Sequence, residues 1–175
     1  FPELLKENSG IMVQKTGHGQ GSPYLRGFTG FRTVLLIDGI RLNNSVFRDG
    51  PNQYWTTIDP FSIDQIEVIK GINSSLHGSD AIGGFVAANT AALDFKSRKL
   101  IAPYRFYTRF ASAENANINR LEAMGAPVKS LRYKMGVSLK KFGNIKGGST
   151  VGNQPKTGYD EYDVDLKLTW APYTF

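Results

Sequence analysis

The residue types that most often do chemistry in proteins are scarce in this chain. It contains two histidines and no cysteine, so it offers no disulfides or thiolate metal sites and little for a histidine-rich metal cluster. His18 and His77 each stand alone in a glycine-containing segment, and neither a serine, histidine and aspartate set nor a pair of carboxylates forms a recognisable catalytic arrangement. The sequence therefore predicts no enzyme, no metal site and no cofactor.

One glycine-rich segment invites comparison with a phosphate-binding loop. It reads Gly17-His18-Gly19-Gln20-Gly21. A dinucleotide-binding fingerprint needs a strand before the glycines, a helix opening directly after them and an acidic residue about twenty positions further on. Here Ser22 and Pro23 follow, and then an extended segment. We therefore expect residues 16–23 to form a flexible loop, and the hypothesis of a nucleotide-dependent enzyme rests on this segment alone.

The net charge of +6 is carried mainly by the second half of the chain. Residues 1–100 contain ten Lys and Arg against nine Asp and Glu, whereas residues 101–175 contain eleven against six. This distribution does not describe a basic, nucleic-acid-binding domain at the N-terminus, and we expect no nucleic-acid partner. The basic second half does leave open a soluble β-rich module that binds acidic polymers.

Short helix and strand signals alternate along the first part of the chain. Pro2 to Asn8 suits a short helix that stops near Gly10. The run from Thr33 to Ile37 is typical of a strand, and it ends at the turn signal Asp38-Gly39. The apolar positions between Ile63 and Ile69 indicate another strand, alone or preceded by a helical turn. Such mixed short elements predict a small α+β globule of about ninety residues.

After about residue 100, apolar and polar residues alternate with a period of two. The clearest apolar positions are Leu131, Tyr133, Met135, Val137, Leu139, Tyr162, Val164, Leu166, Leu168 and Trp170. A soluble antiparallel sheet with one wet face gives the same alternation. Aromatic residues near the strand ends, and a short connection at 126–129 against a long polar one at 143–158, instead favour membrane strands whose apolar side chains face lipid.

Five motifs occur in a fixed order over about sixty residues of the first half. They are Leu25-Arg26-Gly27-Phe28, the run from Thr33 to Asn43, Ile58-Asp59-Pro60, the run from Ile66 to Gly71, and the run from Gly78 to Gly84. In this order and spacing they resemble the plug domain of TonB-dependent receptors, the gated importers of the Gram-negative outer membrane. The family usually has proline where Ile72 stands and tyrosine where His77 stands, and without proline the backbone loses a fixed φ there.

The resemblance implies an α+β plug at residues 1–93 that lacks its start. At 101–175 it implies about four antiparallel transmembrane strands, the first of a barrel of twenty-two. It implies location in the outer membrane and contact with its lipid. It also implies coupling to the TonB protein through a segment upstream of Phe1, and we expect the chain to be a fragment. The implied function is energy-coupled uptake of a scarce nutrient. An iron–siderophore complex is the first expectation, and haem, cobalamin or a glycan are the others.

The resemblance also assigns two sets of site residues. Arg26, Lys70 and Glu67 lie in motifs that are expected to pair with charged groups on the inner barrel wall, because a buried charge must be paired. Such pairs would lock the plug closed, and a solvated surface charge is the alternative for each. The ligand is expected to land on the segment after Arg41, at Arg48, Asn52, Gln53, Tyr54 and Trp55. Aromatic, amide and cationic groups suit a polar chelate, and an ordinary polar loop stays open.

Overall fold

The structure is a computed structural model that describes residues 1–42, 50–51, 54–72, 74–91 and 104–171. The chain divides into two compact units, Phe1–Ala91 and Ala92–Phe175. Within the described ranges, no helix combines the length and the apolar character that crossing a membrane would require.

The described part of the first unit contains two short helices, two small sheets and three 3-10 turns. The helices are α1, Pro2–Leu5, and α2, Ser74–His77, and the 3-10 turns are Gly30–Arg32, Tyr54–Thr57 and Pro60–Ser62. The strands are β1, Ile11–Gly17; β2, Gln20–Leu25; β3, Thr33–Ile37; β4, Ile40–Arg41; β5, Ile63–Lys70; and β6, Gly84–Thr90. Strands β1 and β2 form an antiparallel hairpin, and the other four form a sheet in the order β4-β3-β6-β5. The unit is therefore a mixed α+β fold.

The glycine-rich segment at residues 16–23 is part of the β1–β2 hairpin, and the expectation of a flexible loop there is wrong. β1 continues to Gly17, β2 begins at Gln20, and Lys15 pairs with Gly21. Val13 explains why glycine stands at position 21, because a Cβ atom there would lie 2.8 Å from its side chain. No helix follows the glycines, so the hairpin lacks the geometry of a phosphate-binding loop.

The core of the first unit surrounds the parallel pair β3 and β6. The buried cluster consists of Phe1, Leu5, Ile11, Leu25, Leu35, Trp55, Val86 and Ala88. β6 lies between β3 and β5, and a central strand buried on both faces is nearly continuous in apolar residues. Gly84 is the first residue of β6 and has φ +151°. A Cβ atom at this position would lie 2.7 Å from the carbonyl oxygen of Ile69. The β6 strand therefore needs glycine at that position.

A two-residue turn joins β3 to β4 and is tied to the end of β6. Asp38 and Gly39 have φ values of +48° and +82°, the pair of positive angles that a type I′ turn requires. The Asp38 carboxylate accepts hydrogen bonds from Thr90 N at 2.8 Å and Thr90 Oγ1 at 2.6 Å. The turn predicted from Asp38-Gly39 is therefore present, and Asp38 also forms hydrogen bonds with the last residue of β6.

The second unit is a four-stranded antiparallel meander. Its strands are β7, Tyr104–Ala111; β8, Ala116–Val128; β9, Leu131–Phe142; and β10, Tyr159–Trp170, in the order β10-β9-β8-β7. Only Lys129 and Ser130 separate β8 from β9, so the short connection begins three residues later than the predicted 126–129 and ends one residue later. The long polar connection at 143–158 joins β9 to β10, as the sequence predicted.

Candidate functional site

The charged face of the second sheet is the buried face. Arg120 is 3% exposed and Glu122 is 2% exposed, and Arg132, Lys134 and Lys140 are also buried. These residues come from β8 and β9, where every second side chain points to this face. Placing charges there is costly unless each one is paired.

Ion pairs, most of them between strands, provide that compensation for Arg120, Lys134 and Lys140. Arg120 lies 2.9 Å from Glu122 and 2.7 Å from Asp165, and Lys134 lies 3.3 Å from the same Glu122 carboxylate. Nearer the long connection, Lys140 is 2.7 Å from Glu161 and 2.8 Å from Asp163. The buried face therefore carries two groups of ion pairs, one around Arg120 and Glu122 and one around Lys140.

The opposite face of the same sheet is apolar and exposed. Val164 is 78% exposed and Trp170 is 72% exposed. Other large exposed apolar residues on this face are Phe106, Leu121, Met135, Val137, Leu139, Tyr162, Leu166 and Leu168. Strand pairing aligns them, and Phe106, Leu121, Val137 and Val164 form one row across all four strands. The sheet therefore has the reverse of the burial expected in water, where the apolar face is covered.

Aromatic residues mark the two ends of the exposed apolar band on β10. Tyr162 and Trp170 both point to this face, and eight residue steps of about 3.3 Å place them about 26 Å apart along the strand. A strand tilted by about 40° would convert this length to about 20 Å along the membrane normal, close to the band height of about 25 Å in membrane barrels. The apolar band on β10 is therefore comparable in length with the apolar band of membrane barrels.

Arg26 and Lys70, two residues of the predicted lock, converge on one corner of the first unit. Arg26 has φ +50°, and its backbone N–H donates to Gly10 O at 3.0 Å. Lys70 Nζ donates to Ser9 O. A Cβ atom on Gly71 would lie 3.0 Å from Arg26 Nη1. The turn at residues 9–10 thus holds both basic residues near each other, at the ends of β2 and β5.

Glu67 is not part of that corner. Glu67 and Lys70 are three residues apart on β5, and successive side chains of a strand point to opposite faces. The two side chains therefore lie on opposite faces of the strand. Within the described ranges, Arg26, Glu67 and Lys70 form no ion pair with one another or with any other residue. The structure therefore brings two members of the predicted set together and separates the third.

The residues predicted to contact ligand occupy different environments. Arg48, Asn52 and Gln53 lie outside the described residues. Tyr54 is 42% exposed, whereas the adjacent Trp55 is 1% exposed and belongs to the core cluster. Trp55 therefore packs as a core side chain, and Tyr54 is the accessible aromatic residue of the pair.

Two contacts that the sequence did not single out connect the motifs of the first unit. Arg41 Nη2, at the end of β4, forms an ion pair with Asp80 Oδ2, in the turn that precedes β6. His77 stacks on Phe85 with ring centroids 3.9 Å apart and an interplanar angle of 7°. Arg41 lies in the motif from Thr33 to Asn43 and Asp80 in the motif from Gly78 to Gly84, and no sequence signal links the two positions. Among the described residues, no cluster of His, Cys, Asp and Glu is arranged to hold a metal ion.

Comparison with known proteins agrees with this architecture. The family model described as "TonB-dependent Receptor Plug Domain" matches residues 1–85. The chain is 35% identical to the vitamin B12 transporter BtuB of Vibrio vulnificus (strain YJ016) over 91 residues, which are 50% of this chain and 14% of the transporter. It is 30% identical to the ferric aerobactin receptor of Klebsiella pneumoniae over 135 residues, which are 74% of this chain and 18% of the receptor.

A solved structure extends the similarity over both units. The FrpB iron transporter from Neisseria meningitidis (F3-3 variant) matches 96% of this chain and 26% of its own, with a TM-score of 0.75 and 18% sequence identity. At this identity the match establishes the fold. The chain spans less than a fifth of the length of either curated relative.

Proposed function

The chain belongs to the TonB-dependent receptors of the Gram-negative outer membrane, and from that premise we propose that it forms the plug and the first four barrel strands of an energy-coupled nutrient importer. In this proposal residues 1–93 are the plug. Strands β7 to β10 are the first four of about twenty-two barrel strands, and the remaining strands come from chain outside these residues. TonB supplies the energy through a segment upstream of Phe1.

The observation that carries the proposal is the reversed burial of the second sheet. A row of exposed apolar residues such as Val137 and Val164 gains free energy from contact with lipid, at about 25 cal/mol per Å² of apolar surface removed from water. The paired charges on the other face suit a polar barrel interior. In water, the same sheet would expose its apolar face and bury its charged face, and both are unfavourable.

We propose a ferric siderophore as the nutrient, with haem, cobalamin and glycans as the other candidates. The ferric aerobactin receptor matches 74% of this chain at 30% identity and the vitamin B12 transporter 50% at 35% identity, so these two matches do not decide the nutrient. Tyr54 is an exposed aromatic residue, and together with Arg48, Asn52 and Gln53 it would supply stacking, amide and cationic groups to a polar chelate. Trp55 would hold this segment to the plug from within the core.

We propose that Arg26 and Lys70 form the lock between plug and barrel wall. Both end on the same corner, and Arg26 has no ion-pair partner among the described residues. An arginine held close to glycine backbone can present its planar fork to a carboxylate of the wall in bidentate form. Glu67 would act at a separate point, through a basic wall residue.

The alternative of a soluble module for acidic polymers fits the structure poorly. Its basic residues would have to face solvent, yet Lys134 and Lys140 are buried and paired with carboxylates. To reach these two lysines, a polyanion would have to displace Glu122 and Glu161. The exposed face of the sheet offers apolar side chains instead.

Uptake by the full-length receptor tests the proposal. Cells that produce it should accumulate iron from a ferric siderophore when TonB is present, and a TonB-deleted strain should bind the same chelate at its surface without accumulating iron. Binding of cobalamin or haem in place of every ferric siderophore tested would overturn the ligand assignment and leave the receptor assignment standing. Uptake that continues without TonB would overturn the receptor assignment itself.

A further inference from the structure

Arg120 on β8 extends across β9 and reaches β10. Its Nη2 donates to Glu122 Oε2 at 2.9 Å, its Nη1 donates to Ser138 Oγ at 3.1 Å, and Nη1 also lies 2.7 Å from Asp165 Oδ1. A Cβ atom on Gly136 would meet Arg120 Cζ at 2.5 Å. The guanidinium therefore occupies the space that a side chain at position 136 would need. One side chain thus connects three strands because glycine stands beneath it.

The alternating pattern of β9 and β10 does not by itself determine how they pair. A slip by one residue would turn every apolar side chain to the charged face, and the pattern excludes it. A slip by two residues keeps every side chain on its own face. Val137, which pairs with Val164, would then face Tyr162 or Leu166, and both of these are also apolar.

The connections place different limits on the pairing of the strands. β8 and β9 are joined by Lys129 and Ser130 alone, and so short a turn restricts the pairing to one register. β9 and β10 are joined by residues 143–158, and a connection of that length can accommodate a shift by two residues. The β9–β10 pair is therefore where a further determinant of register is needed.

Arg120 disfavours one of the two slips, and Lys140 disfavours the other. In the observed register, Gly136 lies opposite Asp165, and the guanidinium above Gly136 meets a carboxylate. One slip brings Lys167 to that position and sets a cation against a cation. The other slip brings Asp163 there and removes it from Lys140, which it contacts at 2.8 Å. Either slip therefore loses a buried ion pair or creates a buried repulsion.

We propose that Arg120, seated over Gly136, is a determinant of the β9–β10 register and acts against the slip that brings Lys167 opposite Gly136. The pairing of β9 with β10 does not depend on which nutrient is transported. A competing determinant exists at the base of the long connection, where Asn144 Oδ1 accepts hydrogen bonds from Thr157 N at 3.1 Å and Gly158 N at 2.9 Å. The experiment must separate these two contributions.

Disulfide formation in the full-length protein reports the register. Val137→Cys is combined in turn with Val164→Cys, Tyr162→Cys or Leu166→Cys, and these 175 residues contribute no other cysteine. Directly opposite residues have Cα atoms about 5 Å apart, within disulfide range, whereas diagonal neighbours at about 7–8 Å are beyond it. All four positions lie on the exposed face, so the cysteines leave the charged network intact.

With the natural residues at all other positions, only the Val137 and Val164 pair should form a disulfide. Arg120→Met should raise disulfide formation at one of the slipped pairs by about tenfold or more. Arg105→Met is the matched control, because Arg105 lies 3.7 Å from the same Glu122 but does not reach β10. It should leave the slipped pairs at their background level.

Gly136 and Asn144 complete the test. Gly136→Ala should raise the slipped disulfides when Arg120 is present and should add nothing in the Arg120→Met protein, because the two residues act as one unit. If Arg120→Met protein does not accumulate, Asp165→Asn keeps the shape of the site and should show a smaller rise. Slipped pairs that stay at background in both Arg120→Met and Asp165→Asn, or that rise only with Asn144→Ala, would overturn the proposal.

Discussion

The ring of Trp55 lies 6.3 Å from the ring of Phe1, and both residues are buried in the core of the first unit. Trp55 comes directly after the segment proposed to receive the ligand, and Phe1 precedes the first helix. The two ends of a long stretch of chain are thus held by one aromatic contact. A substitution that changes the packing of Trp55 should therefore also change the packing of Phe1.

Trp55→Ala should destabilise the first unit by about 3–5 kcal/mol, because removing a buried aromatic ring leaves a cavity. Tyr54→Ala is the matched control, since the neighbouring Tyr54 is 42% exposed and Trp55 is 1% exposed. It should leave stability within about 0.5 kcal/mol and weaken ligand binding instead. Thermal unfolding and ligand titration of the purified full-length receptor measure both effects. A loss of stability in Tyr54→Ala equal to that in Trp55→Ala would contradict the assignment of the two rings.

Local patterns predicted the elements that depend on local sequence. The β-branched and leucine run at Thr33–Ile37 forms β3, and Asp38-Gly39 forms the turn after it. The alternation in residues 131–140 and 162–170 falls within β9 and β10. These features follow from side-chain periodicity and from turn residues that tolerate positive φ, both of which a sequence displays directly.

Contacts between distant residues could not be predicted in the same way. Trp55 has the same aromatic character whether it binds a ligand or fills a core, and only the positions of Phe1 and Leu25 decide between the two. Gly136 resembles any strand glycine until Arg120, sixteen positions earlier on another strand, is placed over it. The glycine-rich hairpin at residues 16–23 was missed because glycine signals flexibility as readily as close packing.

Asp38→Ala should destabilise the first unit by about 1–3 kcal/mol. The change removes the acceptor of two hydrogen bonds from Thr90 and places alanine at φ +48°, a backbone region that aspartate and asparagine tolerate better. Asp38→Asn is the matched control, because it keeps one acceptor oxygen and the turn preference, and its cost should be smaller. Equal costs in denaturant unfolding would show that the turn depends on charge and not on backbone geometry.

Arg26→Ala in the complete receptor should loosen the plug and leave ligand binding nearly unchanged. Loss of the guanidinium would leave a carboxylate of the barrel wall buried without a partner, which is strongly destabilising. We expect increased entry of a large antibiotic that the closed receptor excludes, with surface affinity for ligand within a few-fold. Arg32→Ala removes an exposed arginine of the same unit and should change neither property. A collapse of affinity without increased entry would assign Arg26 to the ligand site.

Val137→Arg tests the orientation of the second sheet. Val137 lies in the middle of the row Phe106, Leu121, Val137 and Val164 on the exposed face. If that face contacts lipid, a charge near the bilayer midplane should cost about 2–4 kcal/mol. Val137→Met introduces a side chain of similar length without charge, so comparison of the two variants isolates the electrostatic penalty from the steric one. The folded fraction of the full-length receptor in lipid vesicles should therefore fall for arginine and hold for methionine. If both variants fold equally well, this face lies in a polar environment, and β7 to β10 are not membrane strands.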